Sequence, residues 1–334
     1  MTIILDVMPE GTYRRMMTPE LETELQSLGE VISCRNARNL SEEEYGAEWE
    51  QADAVLSGWG VRPPTKSILD RASRLKVISH TAGSIRMFPR FAIEKGIIIT
   101  SARNAIARSV AEYCLMNTLI LLRKHLYDVD AKPARKEFTS LEQTKPYSRT
   151  LYGKTVGLVG LGAIGRYFRA LLAPFGCPVL VYDPYLTAED AAQQSVTQVD
   201  LEYLLQNSDV VSLHAPEIPS THNLIGQREL ALLREESVLL NSARGRLVDT
   251  AALTAAMQSR RLYAAIDVTE PEPLPADHPL RNLPNVLFTP HIAGPAEDEL
   301  PNLTRTALAD MSRVLRGEAP LYPISLQAYD IMSF

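Results

Sequence analysis

Short β-branched and apolar runs alternate with polar stretches of helical period along the first hundred residues. Runs at 2–7, 31–35, 54–58, 75–80 and 96–101 have strand length, and that rhythm predicts an α/β chain with a parallel sheet. Between them, Thr18 is placed to cap a helix over 19–28 that stops before Gly29. Ser41, followed three residues later by Glu44, has the spacing of a capping box and heads a helix over 41–50. Ala111, Leu115, Leu119, Leu122 and Leu126 then recur at helical spacing, which predicts a long helix over 107–128 crossing between two domains. The segment 128–149 is polar, holds Pro133 and Pro146 and has no clean period. Its length suits either a solvent loop or an arm packed on a second subunit.

A second alternation follows, with strands expected at 155–159, 179–183, 210–214, 238–242, 264–268 and 286–289. Six strands fit two mononucleotide-binding halves. A helix over 297–316 then leads to an apolar tail through Tyr322 and Tyr329. Because that helix leaves the last strand of the second domain, the tail is expected to return to the first and make it discontinuous. The expected fold is thus two doubly wound parallel-sheet domains, 1–103 with 299–334, and an inserted 104–298.

Composition narrows the partners. The 334 residues, 46% hydrophobic and 22% charged, suffice for two cores. With 34 Lys and Arg against 40 Asp and Glu, net charge −6 and no long run of one sign, nothing marks a nucleic-acid or anionic-membrane surface, and small molecules are the expected partners. Cys34, Cys114 and Cys177 are odd in number and far apart, which argues against a disulfide framework or a cysteine-ligated zinc site. His125, His222 and His278 lack metal-ligand spacing, so no metal is expected. The N-terminus lacks the basic and long apolar regions of a signal peptide, and no apolar stretch approaches the roughly 20 residues of a membrane span, so the expected location is the cytoplasm.

The first chemical signal is Gly160-Leu161-Gly162-Ala163-Ile164-Gly165, directly after the apolar run 156–159 and before a helix-like run at 166–172. Gly160 permits a tight turn, Gly162 lets backbone approach a pyrophosphate and Gly165 allows close helix packing, while the helix amides at Ala163 and Ile164 face the anion. The next strand ends in Asp183, 18 residues past the last glycine, where a carboxylate accepts from ribose hydroxyls. With no Arg in Pro184-Tyr185-Leu186 to balance a 2′-phosphate, the expected cofactor is NAD.

Three later strand ends carry Asn241-Ser242-Ala243-Arg244-Gly245, then Asp267 through Pro273, then Thr289-Pro290-His291. Singly, Arg244 reads as a surface charge, Glu272 as a loop carboxylate and His291 as an interior histidine. Together they suit a keto acid: a guanidinium fork for the carboxylate, and an imidazolium, stabilised by Glu272, that gives a proton to the carbonyl oxygen.

With Tyr182-Asp183-Pro184 and Leu213-His214-Ala215-Pro216 plus Thr221, these segments resemble, in order and spacing, the D-isomer-specific 2-hydroxyacid dehydrogenase family. The resemblance covers nearly the whole chain. It implies a split, flavodoxin-like substrate domain, an inserted Rossmann NAD domain and a homodimer. It also implies that Arg244 binds the substrate carboxylate and keto oxygen, with His291 as acid/base and Glu272 as its partner. Asp267 would contact the nicotinamide carboxamide, and His214, Ala215, Pro216, Thr221, Ser242 and Ala243 would line the cofactor.

The chain departs from the family in the loop whose amides meet the substrate carboxylate. Here it is Thr81-Ala82-Gly83-Ser84-Ile85-Arg86, with Ala82, Gly83 and Ser84 as substrate contacts, Thr81 for the first glycine and Ile85 at the acidic position. A changed pocket is expected. Trp59 is expected to be packed, His80 capped and Arg86 a solvated helix-start charge. Glu272, where formate-oxidising members carry Gln, disfavours formate. The expected activity is interconversion of a small 2-keto acid (glyoxylate, hydroxypyruvate or pyruvate-like) and its D-2-hydroxy acid. The alternative is an NAD(H)-sensing interaction protein resembling the family's corepressors.

Overall fold

The computed structural model describes residues 1–123, 149–259 and 262–333. They form two compact units, Met1–Ile106 with Pro295–Phe334, and Ala107–Gly294. The segment 128–149 expected as a loop or an arm, the end of the long helix beyond 123 and His125 fall outside the described residues, apart from Arg149.

The first unit holds a five-stranded sheet of β1 (Ile3–Asp6), β2 (Glu30–Ser33), β3 (Ala54–Ser57), β4 (Val77–His80) and β5 (Ile98–Ser101), all parallel and ordered β2-β1-β3-β4-β5. Helices cover it, so the central strands β3 and β4 are buried along their whole length and show no alternation, Ser57, Ser79 and His80 being buried with their apolar neighbours. The capping box at Ser41 is complete, Glu44 N–H donating to Ser41 Oγ and Ser41 N–H to Glu44 Oε2, and the helix Glu42–Gln51 buries Tyr45 and Trp49 edge to face. Thr18 caps Pro19–Leu28 as expected.

The second unit is a seven-stranded parallel sheet of β6 (Val156–Val159), β7 (Val179–Tyr182), β8 (Thr197–Gln198), β9 (Val210–Leu213), β10 (Val238–Asn241), β11 (Tyr263–Ile266) and β12 (Val286–Phe288), ordered β12-β11-β10-β9-β6-β7-β8. The order reverses at β6, so the crevice between the ends of β6 and β9 is a topological switch point, where open α/β sheets take ligands. The sheets agree with the α/β expectation, with one strand more than the six read from sequence. β8 escaped because it is two exposed residues paired only to β7, too short to leave a pattern.

Other differences have local causes. The long helix is Arg103–Leu122 and begins a turn earlier than expected, since its first turn opens on the polar pair Arg103 and Asn104 ahead of the apolar period. Contrary to the expectation that no stretch approaches a membrane span, its length and composition pass that test. Ala107, Val110, Ala111, Cys114 and Leu121 are buried along it, so it is a core helix. The helix Glu10–Met16 was missed because its single buried pair, Tyr13 and Met16, is too little for a periodic signal. The last long helix is a 3-10 turn, Glu297–Glu299, running into Leu300–Leu315, followed by the short Leu326–Asp330, whose Tyr329 hydroxyl donates to the Phe88 carbonyl at 2.7 Å.

Ser41→Ala leaves the Glu44 amide without its cap and should cost about 1 kcal/mol in urea unfolding. An unchanged midpoint would show that the box contributes nothing.

Candidate active site

The glycine loop leaves β6 with Gly160 at φ +98°, a left-handed conformation. A Cβ there would also stand 2.9 Å from the Ala215 amide nitrogen and 3.0 Å from the His214 carbonyl. Only glycine permits this approach, which draws the loop after β6 and the loop after β9 together across the switch point. Gly165 packs against the Gly160 carbonyl for the same reason of space. Gly162 differs, because a Cβ there would meet nothing within 4 Å. It caps the helix Ala163–Leu172 without a side-chain acceptor, so the first-turn amides, Ala163 and Ile164 among them, are left facing outward. The helix starts three residues before the expected 166 because the loop itself supplies its first turn.

Asp183 directly follows β7 beside this loop, where its carboxylate accepts from the Leu161 amide at 2.8 Å and the Tyr185 amide at 2.9 Å. The His214 ring lies edge to face with Phe168, and its two nitrogens are buried with no hydrogen-bond partner among the described residues. Burial pulls its pKa down to about 3, so the ring is neutral. Thr221 turns its hydroxyl inward to the Pro216 and Ile218 carbonyls and braces the 214–221 loop. Open space over Gly162, outward helix amides and an orphaned imidazole are what a bound dinucleotide would use, so the residues fit NAD(H).

The Arg244 loop follows β10. Asn241 clamps it, accepting from the Ala243 amide and donating to the Arg244 carbonyl. A Cβ on Gly245 would run into the Thr269 carbonyl, so this loop lies directly against the turn that carries Glu272. The Arg244 guanidinium is largely buried. Burial lowers its pKa, the Glu217 and Glu272 carboxylates oppose that, and Nη1 donates to the Ala243 carbonyl. Ser242 meets Cys114 at 3.3 Å, and burial pushes that thiol up to about 11, which leaves it inert.

His291 and Glu272 are joined, Nδ1 to Oε1, at 2.5 Å, with both side chains partly open to solvent. His291 holds φ +56°, unusual for a residue with a Cβ. What fixes it is Asp267, only 2% exposed. The Asp267 carbonyl accepts from the His291 amide, and its carboxylate accepts from the Ile292 amide (2.8 Å), the Ala293 amide (2.9 Å) and the Thr289 hydroxyl (2.6 Å). Thr289 in turn accepts from Tyr113, whose pKa burial lifts to about 12, keeping it a phenol. The family resemblance implies a cofactor contact for Asp267 and says nothing of this anchoring, and Tyr113 has no sequence signal, since a lone Tyr inside a helical period carries none.

In the first unit the substituted loop is explained by packing. Thr81 is buried with its hydroxyl against the sulfurs of Met8 and Met16, and Ile85 belongs to the hydrophobic core. Both departures therefore fill the interior, contrary to the expectation of a reshaped pocket lining. Ala82 is buried, Gly83 lies beside Ile106, and the Ser84 hydroxyl is taken by the Ser333 carbonyl at 2.5 Å. Arg86 is no solvated charge: it stacks over the Tyr329 ring and donates to the Tyr329 carbonyl. Trp59, expected packed, is 39% exposed. His80 is capped by Ser57 at 2.9 Å, and burial lowers its pKa to about 4. No group of three or more metal-ligating side chains occurs among the described residues.

Comparison with known proteins decides the family. Residues 116–293 match the model of the D-isomer specific 2-hydroxyacid dehydrogenase NAD binding domain. A glyoxylate reductase from Thermofilum pendens is 34% identical over 76% of this chain and 76% of its own length. The chain belongs to the D-isomer specific 2-hydroxyacid dehydrogenase family. A D-3-phosphoglycerate dehydrogenase from Methanocaldococcus jannaschii is 34% identical over 90% of this chain, which spans 57% of that relative's length. The solved structure of D-lactate dehydrogenase with NAD+ from Lactobacillus jensenii superposes with TM-score 0.75 at 25% identity, covering 97% of this chain and all of that one.

The two neutral histidines have a consequence for stability. Both folded pKa values lie below the ordinary 6.5, so the unfolded chain binds more protons once pH falls below about 6.5. Stability should be full above that value and decline as pH drops toward 4. Thermal unfolding at pH 7 and pH 5 should show the loss, and His80→Gln with His214→Gln should shrink it; an equal loss in parent and double variant contradicts the assignment.

Proposed function

We propose that this family member interconverts a small 2-keto acid, of the glyoxylate, hydroxypyruvate or pyruvate class, and its D-2-hydroxy acid with NAD(H). The observation that carries the reading is the 2.5 Å pair of His291 and Glu272 on the turn packed against the Arg244 loop. Arg244 binds the substrate carboxylate and orients the keto oxygen, with the backbone of Ala82, Gly83 and Ser84 as further contacts from the first unit. NADH, when bound, supplies the hydride that reduces the keto carbon. His291 gives its proton from Nε2 to the oxygen as charge develops there, and Glu272 on Nδ1 stabilises the imidazolium and fixes the ring. In the reverse direction His291 takes the hydroxyl proton.

Gly160, Gly162, Gly165, Ala163 and Ile164 hold the pyrophosphate, while His214 through Pro216, Thr221, Ser242, Ala243 and Asp267 line the rest of the cofactor. Asp183 reads the ribose hydroxyls and selects NAD over NADP, because a 2′-phosphate would meet its charge. The first unit is the substrate domain and the second the cofactor domain, in a homodimer in the cytoplasm.

Steady-state assays over a panel of 2-keto acids with NADH test the activity. NADH binding without turnover of any member would favour a sensing role instead. His291→Ala should lose roughly 10²- to 10⁴-fold in kcat with NADH affinity retained; unchanged turnover would remove His291 from the chemistry. Arg244→Lys, a point charge in place of a fork, should lower kcat/KM by about 10- to 100-fold, mostly through KM. Asp183→Ala should narrow the NADH preference, and a fixed NADH/NADPH ratio would refute its role.

A further inference from the structure

The first unit carries a second ligand-sized feature that none of the groups assigned above touches. The loops at the C-terminal ends of β1, β2 and β3 enclose a cavity of about 260 Å³, lined by Arg35, Arg38 and Arg62 together with Glu10, Asn36 and Asn39. In the order β2-β1-β3-β4-β5 the crevice between the ends of β1 and β3 is the switch point of this sheet, as that between β6 and β9 is of the other.

Charge within the cavity does not balance. Arg35 is compensated by Asp6 at 2.9 Å and Glu10 at 3.6 Å, and Glu10 also pairs with Arg14 at 2.7 Å. Arg38 and Arg62 meet no carboxylate among the described residues. Instead, Arg38 Nη2 donates to the Gly60 carbonyl at 3.0 Å, and Arg62 Nη1 to those of Ala37 and Leu40 at 3.0 and 2.7 Å. Carbonyl oxygens hold a guanidinium in place without neutralising it. Each guanidinium has five N–H donors, so Nε of both and the far edge of each fork remain for another acceptor. Asn36, which makes no capping hydrogen bond, adds an amide.

The wall thus offers two uncompensated cations and surplus donors from separate loops, with its one carboxylate already paired. Such a set matches an oxyanion with several acceptor oxygens. The volume lies below the roughly 300–1,000 Å³ usual for drug-sized ligands, which limits the occupant to a small metabolite. We propose that this cavity binds the phosphate group of a small phosphorylated molecule through Arg38 and Arg62, at a site separate from the substrate and cofactor residues.

Calorimetric titration of the full chain with inorganic phosphate, in saturating NAD+ and against sodium chloride of equal ionic strength, tests it. One equivalent should bind beyond the chloride control. Arg38→Gln should weaken it at least tenfold while leaving turnover intact, and Arg62→Gln should do likewise. Arg38 is exposed, so its variant keeps the test decisive if removing the Arg62 carbonyl clamps unfolds the loop. No saturable phosphate binding, or binding that both folded variants retain, overturns the proposal.

Discussion

The buried carboxylate of Asp267 is the constraint on which the placement of His291 and the turn after β12 depends. It sits just past β11 and collects two backbone amides and one hydroxyl from the turn after β12, while its own carbonyl takes the His291 amide. A carboxylate removed from water needs such donors, and each charge-assisted bond contributes more than a neutral one. The cost of burying the charge is offset by pinning a turn that would otherwise leave His291 free to escape a left-handed backbone. Tyr113, on the long helix, extends the same chain of bonds through Thr289. The position of the His291 ring against Glu272 is thus set from behind, by the sheet and a helix, and not by the pair alone.

A similar division of labour runs through the cofactor side. Gly160 exists for the protein, since its absent side chain lets the loops after β6 and β9 meet; Gly162 faces open space and has no internal reason to be glycine. That contrast separates a glycine required by packing from one that packing does not require within one motif. His214 shows the same tension, an imidazole held neutral by burial with both nitrogens idle until something polar approaches.

Much of this was legible in the sequence because it is carried by short-range rules. The strand runs, the caps at Thr18 and Ser41, the glycine loop and the strand-end Arg244, Glu272 and His291 all follow from spacing and local chemistry. What the sequence does not carry is non-local or too small to have a period: β8, the helix Glu10–Met16, the bonds that make Asp267 an anchor, and the inward turn of Thr81 and Ile85, which depends on packing partners such as Met8 and Met16 distant in sequence. Arg86 and Trp59 were misread for the opposite reason, since exposure is decided by distant chain such as Tyr329 and not by neighbours in sequence.

The central claim is hydride transfer to the second carbon of a keto acid with His291 supplying the proton. NMR of the product formed from a 2-keto acid and NADH deuterated on the transferred C4 position tests it most directly. Deuterium bonded to C2 of the 2-hydroxy acid is the predicted result; a product whose C2 hydrogen comes from solvent, or no product with any acid of the class, would contradict the account.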